Sequence, residues 1–514
     1  MMIKAKLLSG GLFLSVIPLI VSSFITEWVA TDEGGDAVKE QVEQRLIAIR
    51  DIKKGEIERY FTQISQQVRA LANDRMVIEA MPRFIEGFHR FQQESNLPGD
   101  AALRKALAGY YQGDFANHYA EVNPGQTIAA ASLLDTLGEE GTALQYQYIT
   151  VNPNPLGNKH KYDGVEDNSS YSSTHRLYHP HIRDFLERFG YYDIFLVDAK
   201  SGDVVYTVFK ELDYATSLKT GAYADSGLGR AFKAANRLPA GSFILEDFSA
   251  YLPSYNQAAS FIAAPVFDGA TRLGVLIFQM PIDEVNRIMT LEGRWAEMGL
   301  GKSGEVYLVG PDLTMRSMSR FMQEEPDSYL AAQRDAGMDS DLIARIEASG
   351  TTIGLQRIST ETAQKAVAGN TGEQIVDDYR GVAVLSAYSP VKMSGLNWGI
   401  LAEIDKAEAF QAVADLGTNI METSLAVVLV VGLVAGAVAF YFAMKIVKPV
   451  CYLADTVGEI ERNSDLTRRL DHVTNDEIGN IADAVNGMLN KFHKIIKQVS
   501  GSTVEVSSAS QELA

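Results

Sequence analysis

The chain has 514 residues, with 46 Lys and Arg against 65 Asp and Glu, and a single Cys. That length exceeds what one hydrophobic core holds and implies several domains. A net charge of −19 argues against a nucleic-acid binder, whose affinity rests on Lys and Arg against phosphate, and one thiol excludes both a disulfide framework and a multi-Cys metal site.

Near the N-terminus, LLSGGLFLSVIPLIVSSFIT runs for 20 residues without a charge, and TSLAVVLVVGLVAGAVAFYFAM runs for 22 before Lys445. Crossing about 30 Å of hydrocarbon takes roughly 20 apolar residues, so spans are predicted over 7–26 and 423–444. The first run also has the layout of a signal peptide, with Lys4 and Lys6 in front. It is long for that role, no small-residue cleavage site follows, and Glu27, Trp28, Asp32, Glu33 and Asp36 flank it as the outer end of an anchor would. An uncleaved anchor is therefore expected. Lys4, Lys6, Lys445 and Lys448 lie on the outer flanks of the pair, which places residues 1–6 and everything after 444 in the cytoplasm. The cytoplasmic parts then sum to zero, and the whole −19 belongs to the segment between the spans. Cys451 sits at the inner membrane face, so that segment is free of thiols.

Within it, Val38, Val42, Leu46, Ile49, Ile57, Phe61, Ile64, Val68 and Leu71 recur at steps of three and four, predicting one long amphipathic helix over 37–90 that ends or kinks at Pro82. The region 27–189 reads as this stalk followed by mixed helical sequence, with helices near Leu103–Tyr111 and His179–Phe189 and an irregular loop at VNPNPLGNKHKYDG. From Tyr191 the pattern changes to strands: YYDIFLVD and DVVYTVF as a hairpin, then SFILEDF, ASFIAAPVF and RLGVLIFQMP. This predicts a five-stranded antiparallel set with a helical insertion after the second strand. The pattern recurs with a hairpin in SGEVYLVGPDLTMRS, helix through 349, then EQIVDDY, GVAVLSAYSPV and WGILAEID, after which Lys406–Thr423 leads helically into the second span. The fold class is α+β, with two tandem modules over 190–285 and 286–410.

That arrangement resembles the double Cache sensor, a pair of PAS-like extracytoplasmic modules, over roughly residues 35–420. The best-matching stretches are GKSGEVYLVGPD and YRGVAVLSAYSPVKMSGLNWGILAEID. The resemblance implies a small ligand in the membrane-distal module, commonly an amino acid held by an Arg/Trp/Tyr cluster and an Asp on the final strand. Here Gln279 stands where that Asp would fall, and the Arg/Trp/Tyr cluster is missing. A neutral amide offers hydrogen bonds but no counter-charge to an ammonium. The candidate ligand-binding residues are Lys210, Asp247, Tyr251, Tyr255 and Gln279, with Tyr206 and Arg230 beside them. They follow or lie on strands facing the helical insertion, where apolar walls and a few polar groups make a site. The bland alternative gives each a solvated or core role.

After the second span, Lys448-Pro449 opens a helix with Val450, Leu453, Val457 and Ile460 in heptad register. Past the linker RNSDLTRRLDHVTN a second seam has a positions at Ile478, Val485, Phe492, Val499, Val506 and Leu513, and d positions at Ile481, Met488, Ile495, Ser502 and Ala509. Two short helices bury such seams only by pairing, which predicts a parallel homodimer. Pro449 and the step Asp476-Glu477-Ile478-Gly479 resemble a HAMP domain over 445–499, and these positions are the expected signal-relay residues. The run KFHKIIKQVSGSTVEVSSASQELA, over 500–514 in particular, is similar to the start of the signalling helix of methyl-accepting chemotaxis proteins. The resemblance implies a receptor in the bacterial inner membrane that controls a cytoplasmic histidine kinase through an adaptor. The kinase-contacting region would lie beyond Ala514. The alternative is the sensor half of a histidine kinase or diguanylate cyclase.

GLGKSG at Gly299–Gly304 lacks the spacing of a phosphate loop and precedes a strand, so it reads as a turn. His175, His179 and His181 have helical spacing for a metal but no carboxylate or Cys companion, and neither HExxH nor GxSxG occurs. No cofactor, metal or catalytic site is expected, and no nucleic-acid partner; the chain is not expected to be an enzyme.

Overall fold

A computed structural model of the chain describes residues 3–290, 293–471 and 474–512. Met1 and Met2, the linker residues His472 and Val473, heptad position Leu513 and the terminal Ala514 lie outside the described residues. The chain divides into two compact units, one of Val38–Phe410 and one of the stretches up to Ala37 and from Gln411 onward.

In the first unit, the later part of α1 (Ile3–Ala72) buries Leu46, Ile57 and Val68 completely. Each such side chain contributes about 1.5–3 kcal/mol by leaving water. The helix predicted to run to Pro82 instead breaks at Asn73-Asp74. Asp74 adopts an extended backbone and accepts from Met76 N at 2.7 Å, capping α2 (Arg75–Glu94), which carries Pro82 inside it. The Asp74 side chain satisfies an N–H group that the break exposes, which offsets the cost of ending the helix there. Short helices follow: α3 (Asp100–Tyr110), α4 (Ala116–Val122), α5 (Ala130–Asp135), α6 (Glu139–Gln145) and α7 (Ser170–Phe189). The last is nine residues longer at its start than expected, because Ser169 caps it at Ser172 N. A Cβ built on Gly87 of α2 would lie 2.8 Å from Tyr171 Cα on α7, so these helices touch backbone to backbone. Gly87→Ala is expected to cost about 1–3 kcal/mol by forcing them apart. An unchanged melting temperature would contradict this.

The first sheet is five-stranded and antiparallel, as the strand pattern predicted, and its strand order is β2-β1-β5-β4-β3. Its strands are β1 (Asp193–Asp198), β2 (Val204–Thr207), β3 (Ile244–Tyr251), β4 (Gln257–Asp268) and β5 (Thr271–Gln279), with α8 (Gly227–Ala235) inserted after β2. β1 is buried along its whole length, which explains its unbroken apolar run. After α9 (Ile282–Thr290), β6 (Glu305–Val309) opens a four-stranded sheet, β6-β9-β8-β7, with β7 (Gly372–Asp377), β8 (Ala383–Met393) and β9 (Leu396–Asp405). Between them lie α10 (Arg320–Glu324), α11 (Pro326–Asp335), α12 (Ser340–Ser349) and α13 (Glu361–Val367). The expected hairpin in SGEVYLVGPDLTMRS forms only its first strand. Met315 makes one bridge to Val309, and its N–H donates to Gln356 O in a loop. GLGKSG is a turn, and Glu408 of α14 (Lys406–Ala409) fills it, accepting from Lys302 N at 2.8 Å and Ser303 N at 2.7 Å.

The second unit holds the start of α1, α15 (Gln411–Phe442), a wide i→i+5 turn over Ala443–Val447, α16 (Lys448–Asn463) and α17 (Glu477–Glu512). Both long helices are apolar enough to cross a membrane, and their apolar side chains face outward, Leu14 and Leu433 being 80% and 76% exposed. They approach at small residues, with a Cβ on Gly432 falling 3.9 Å from Val16. Pro449 is buried near the start of α16, directly after the wide i→i+5 turn. Asp476 accepts from Ile478 N at 3.0 Å and Gly479 N at 3.3 Å, so the Asp-Glu-Ile-Gly step is the cap of α17 and Glu477 its first residue. The linker is held to α17 at Leu470, whose N–H and C=O both bond the Asn486 amide, at 2.8 and 2.7 Å. Ile481, Met488, Phe492, Ile495, Val499 and Val506 are exposed along α17.

Candidate functional site

The first module holds a half-open cavity of about 320 Å³, lined by residues of its sheet and of the helices before it. Tyr110 at the end of α3 and Phe115 in the turn that follows form one wall, and Leu156, Gly157 and Lys159 of the Pro- and Asn-rich loop form another. Tyr192 precedes β1; Phe209, Lys210 and Glu211 follow β2; Tyr255 follows β3. The rings order one another. Phe115 stacks on Tyr255 with centroids 4.9 Å apart, and Tyr192 on Phe209 at 5.3 Å.

The Lys-Glu-Leu-Asp run at 210–213 is folded inward by two anchors. Asp193 Oδ1 accepts from Ile194 N, Val208 N and Phe209 N at 2.7, 2.8 and 3.1 Å, and the Gln145 amide donates to Leu212 O and Tyr214 O at 3.1 and 2.6 Å. Lys210 takes a left-handed backbone, φ 61°, that turns the chain there. Glu211 lines the cavity, accepting from the Tyr192 hydroxyl at 2.8 Å and the Ser254 hydroxyl at 3.4 Å. Gln279 reaches the same chain of bonds by donating to Ser254 Oγ at 3.1 Å. Beneath, Tyr251 donates to Asp213 Oδ2 at 2.5 Å, while Asp213 Oδ1, Asp193 Oδ2 and Gln279 Oε1 are buried without a hydrogen-bond partner. Burial pushes the carboxyls of Asp193, Glu211 and Asp213 up and, against the pull of Asp193 and Asp213, draws the Lys210 ammonium down. That ammonium donates to Thr207 O and lies over the rings of Tyr206 and Tyr214, 4.4 and 5.0 Å from their centroids.

Lys210 and Tyr255 therefore meet at the cavity, Gln279 touches it through Ser254, and Tyr251 supports its floor through Asp213. Asp247 does not join them. Its carboxylate takes Arg316 of the second module at 3.0 and 3.1 Å and the Trp398 indole N–H at 2.9 Å. Arg230 is turned outward, paired with Glu246 at 2.5 Å. Tyr206 bonds His179 Nδ1 at 2.7 Å, and the His175 and His179 rings stack 4.3 Å apart in the core, where burial draws both imidazoles well below their usual range. Sequence reasoning missed Glu211, Tyr192 and Phe209. The available signal was the run from Tyr191 to Tyr214, in which charged residues alternate with aromatics on both sides of two strands.

The HAMP domain model matches residues 441–494. Those residues are a HAMP domain. A stretch of 136 residues is 27% identical to the methyl-accepting chemotaxis protein PctB of Pseudomonas aeruginosa, covering 26% of this chain and 21% of that one. The chain is thus similar to methyl-accepting chemotaxis proteins, and its match spans about a fifth of that relative's length. Among solved structures, the ligand-binding domain of PctB in complex with L-Arg is 18% identical with a TM-score of 0.27, covering 46% of this chain and 83% of that one. The ligand-binding domain of the Pseudomonas fluorescens chemoreceptor CtaA with L-serine is 14% identical at 0.27, covering 59% and 99%. That of the Campylobacter jejuni chemoreceptor Tlp3 with L-valine is 9% identical at 0.34, covering 73% and 96%.

Proposed function

We propose that the chain is the sensor and relay portion of a homodimeric chemoreceptor of the bacterial inner membrane, which binds a small solute outside the membrane and passes the signal through HAMP toward a cytoplasmic kinase and its adaptor. One observation carries this reading: a cavity-bearing α+β pair lies, in chain order, between two helices long and apolar enough to span a bilayer, with a HAMP domain directly after the second. The exposed seam of α17 supports the homodimer, since apolar residues at a and d need a second copy to bury them. β9 is followed within six residues by α15, so a change in the modules has a covalent route into the second span. A ligand shifts such a relay only by its differential affinity for two states, typically about 1–3 kcal/mol.

Cys451, the single thiol, is exposed on α16 and gives a native labelling point. Full chain in nanodiscs, spin-labelled there, is expected to show a label-to-label distance that shifts when a solute found by thermal-shift screening of amines, amino acids, organic acids and sugars is added. No dipolar coupling between copies, or a distance unmoved at saturation, would sink the relay.

A further inference from the structure

The geometry points to an organic cation, a small amine or quaternary ammonium carrying no carboxylate, as the ligand of the first module's cavity, held by Glu211 and the ring faces of Tyr110, Phe115, Tyr192, Phe209 and Tyr255. This rests on the reading of the chain as a sensor and names the class of solute it senses.

The electrostatics favour a positive guest. Three carboxyl groups, Asp193, Glu211 and Asp213, are gathered at or behind a wall that holds two lysines, Lys159 and Lys210. Two of them keep a buried oxygen without a partner. Of the three, Glu211 lines the cavity, and a cation entering beside it offsets the cost of ionising a buried carboxyl.

The basic side chains of the wall are engaged elsewhere, His118 having its Nδ1 2.9 Å from Glu121 Oε2. The Lys159 ammonium donates to Ile149 O at 2.6 Å and lies 5.0 Å over the Tyr110 ring. The Lys210 ammonium is held at Thr207 O among Tyr206 and Tyr214. Both lysines are spent on backbone oxygens and tyrosine faces, so an α-amino acid would bring a carboxylate with no counter-charge to meet. The same contacts show that rings in this module already act as platforms for ammonium groups, an attraction that strengthens where water is excluded.

The walls select for carbon as well as charge. Aromatic faces suit alkyl-ammonium groups, and among the described residues no set of three or more His, Cys, Asp and Glu is placed to hold a metal ion. A volume of about 320 Å³ lies in the range of small-molecule sites.

The test is calorimetric titration of the full chain in nanodiscs with four probes: choline, butylamine, L-alanine, and dimethylbutanol, in which carbon replaces the quaternary nitrogen of choline. At least one of the two cations is expected to bind at least about tenfold tighter than both dimethylbutanol and L-alanine. Glu211→Gln is expected to weaken it by about tenfold or more, Tyr255→Ala similarly, and Tyr255→Phe to keep it, because the ring face survives. Melting curves of each variant separate lost binding from lost folding, and Glu246→Gln, at a half-buried carboxylate paired with Arg230 away from the cavity, serves as the control for binding. Equal binding of dimethylbutanol, tighter binding of L-alanine, no binding of either cation, or undiminished binding by a folded Glu211→Gln chain would each overturn the assignment. The receptor reading fails separately: a bound cation that leaves the Cys451 label distance unmoved would uphold the site and sink the relay, whereas a neutral or anionic solute that moves it would do the reverse.

Discussion

Asp247→Ala is expected to lower the unfolding free energy of the full chain by about 3 kcal/mol, the low end for breaking one side of a buried ion pair. The Arg316 side chain is only 2% exposed, so it cannot recover water when its partner goes. Asp247 takes two of its nitrogens, at 3.0 and 3.1 Å, and also accepts from the Trp398 indole at 2.9 Å. Removing the carboxylate orphans an indole N–H on a residue that is fully buried and leaves Arg316 to Asp312 at 3.0 Å and Thr314 Oγ1 at 2.5 Å. Those two remaining partners are what hold the loss near the low end of the range. Asp247→Asn keeps one acceptor and should cost clearly less. Because Asp247 lies on β3 of the first module while Arg316 and Trp398 belong to the second, the cluster is a joint between modules. Phe248 and Phe61 pack on the Trp398 ring with centroids at 5.8 and 5.3 Å, which extends the joint to α1. A double-mutant cycle of Asp247→Ala with Trp398→Phe should therefore show a coupling of about 0.5–3 kcal/mol. Denaturant unfolding followed by tryptophan fluorescence measures both. A loss below about 0.5 kcal/mol for Asp247→Ala would mean that the joint carries no load.

The fate of Asp247 shows what a sequence can and cannot convey. The strand SFILEDF was legible from its alternation, and so was the antiparallel set it belongs to, because period-two patterning and turn residues are local properties. Which partner a polar residue on that strand meets is decided by a module more than sixty positions away, and nothing near Asp247 announces Arg316. Glu211 failed in the opposite direction. Lys210 was singled out as a candidate, but its neighbour Glu211 was not, since acidic residues are rarely buried. Its inward course depends on Asp193 gathering three backbone N–H groups and on the Gln145 amide, both contributed from elsewhere in the chain. The aromatic half of the cavity was half visible. Tyr255 was singled out, but Tyr110 and Phe115 come from helices whose docking on the sheet no local pattern records. The long helix misread at Pro82 has a simpler cause. Its apolar period continues through Asn73-Asp74, so periodicity alone gave no reason to place a cap there.

Glu403→Gln is expected to make the chain more stable as the pH rises. Glu403 lies on β9, 3% exposed, with Tyr307 donating to its Oε2 at 2.8 Å and its Oε1 without a partner. Burial, reinforced by the charges of Asp378 and Glu305 and against the pull of the Ser386 and Tyr307 hydroxyls, pushes its carboxyl from the ordinary 4.5 up to about 8. Below pH 4.5 the group is protonated whether the chain is folded or not, and it contributes no penalty. Between 4.5 and 8 the unfolded chain releases the proton while the folded chain keeps it, so stability falls as pH rises. Each unit corresponds to about 1.4 kcal/mol, giving a loss of roughly 4 kcal/mol from this residue between pH 5 and pH 8. Gln has the same shape and does not titrate. Its amide can still accept from Tyr307, and its NH2 would face the hydroxyl of Ser386, the cross-strand neighbour. The wild-type and Glu403→Gln chains should thus differ little near pH 5 and diverge steadily toward pH 8, with the variant ahead. Denaturant unfolding of both chains at half-unit intervals across that window measures the divergence. Parallel curves would show that Glu403 is ionised in the fold, and that the second module carries a buried charge on the strand that leads into α14 and α15.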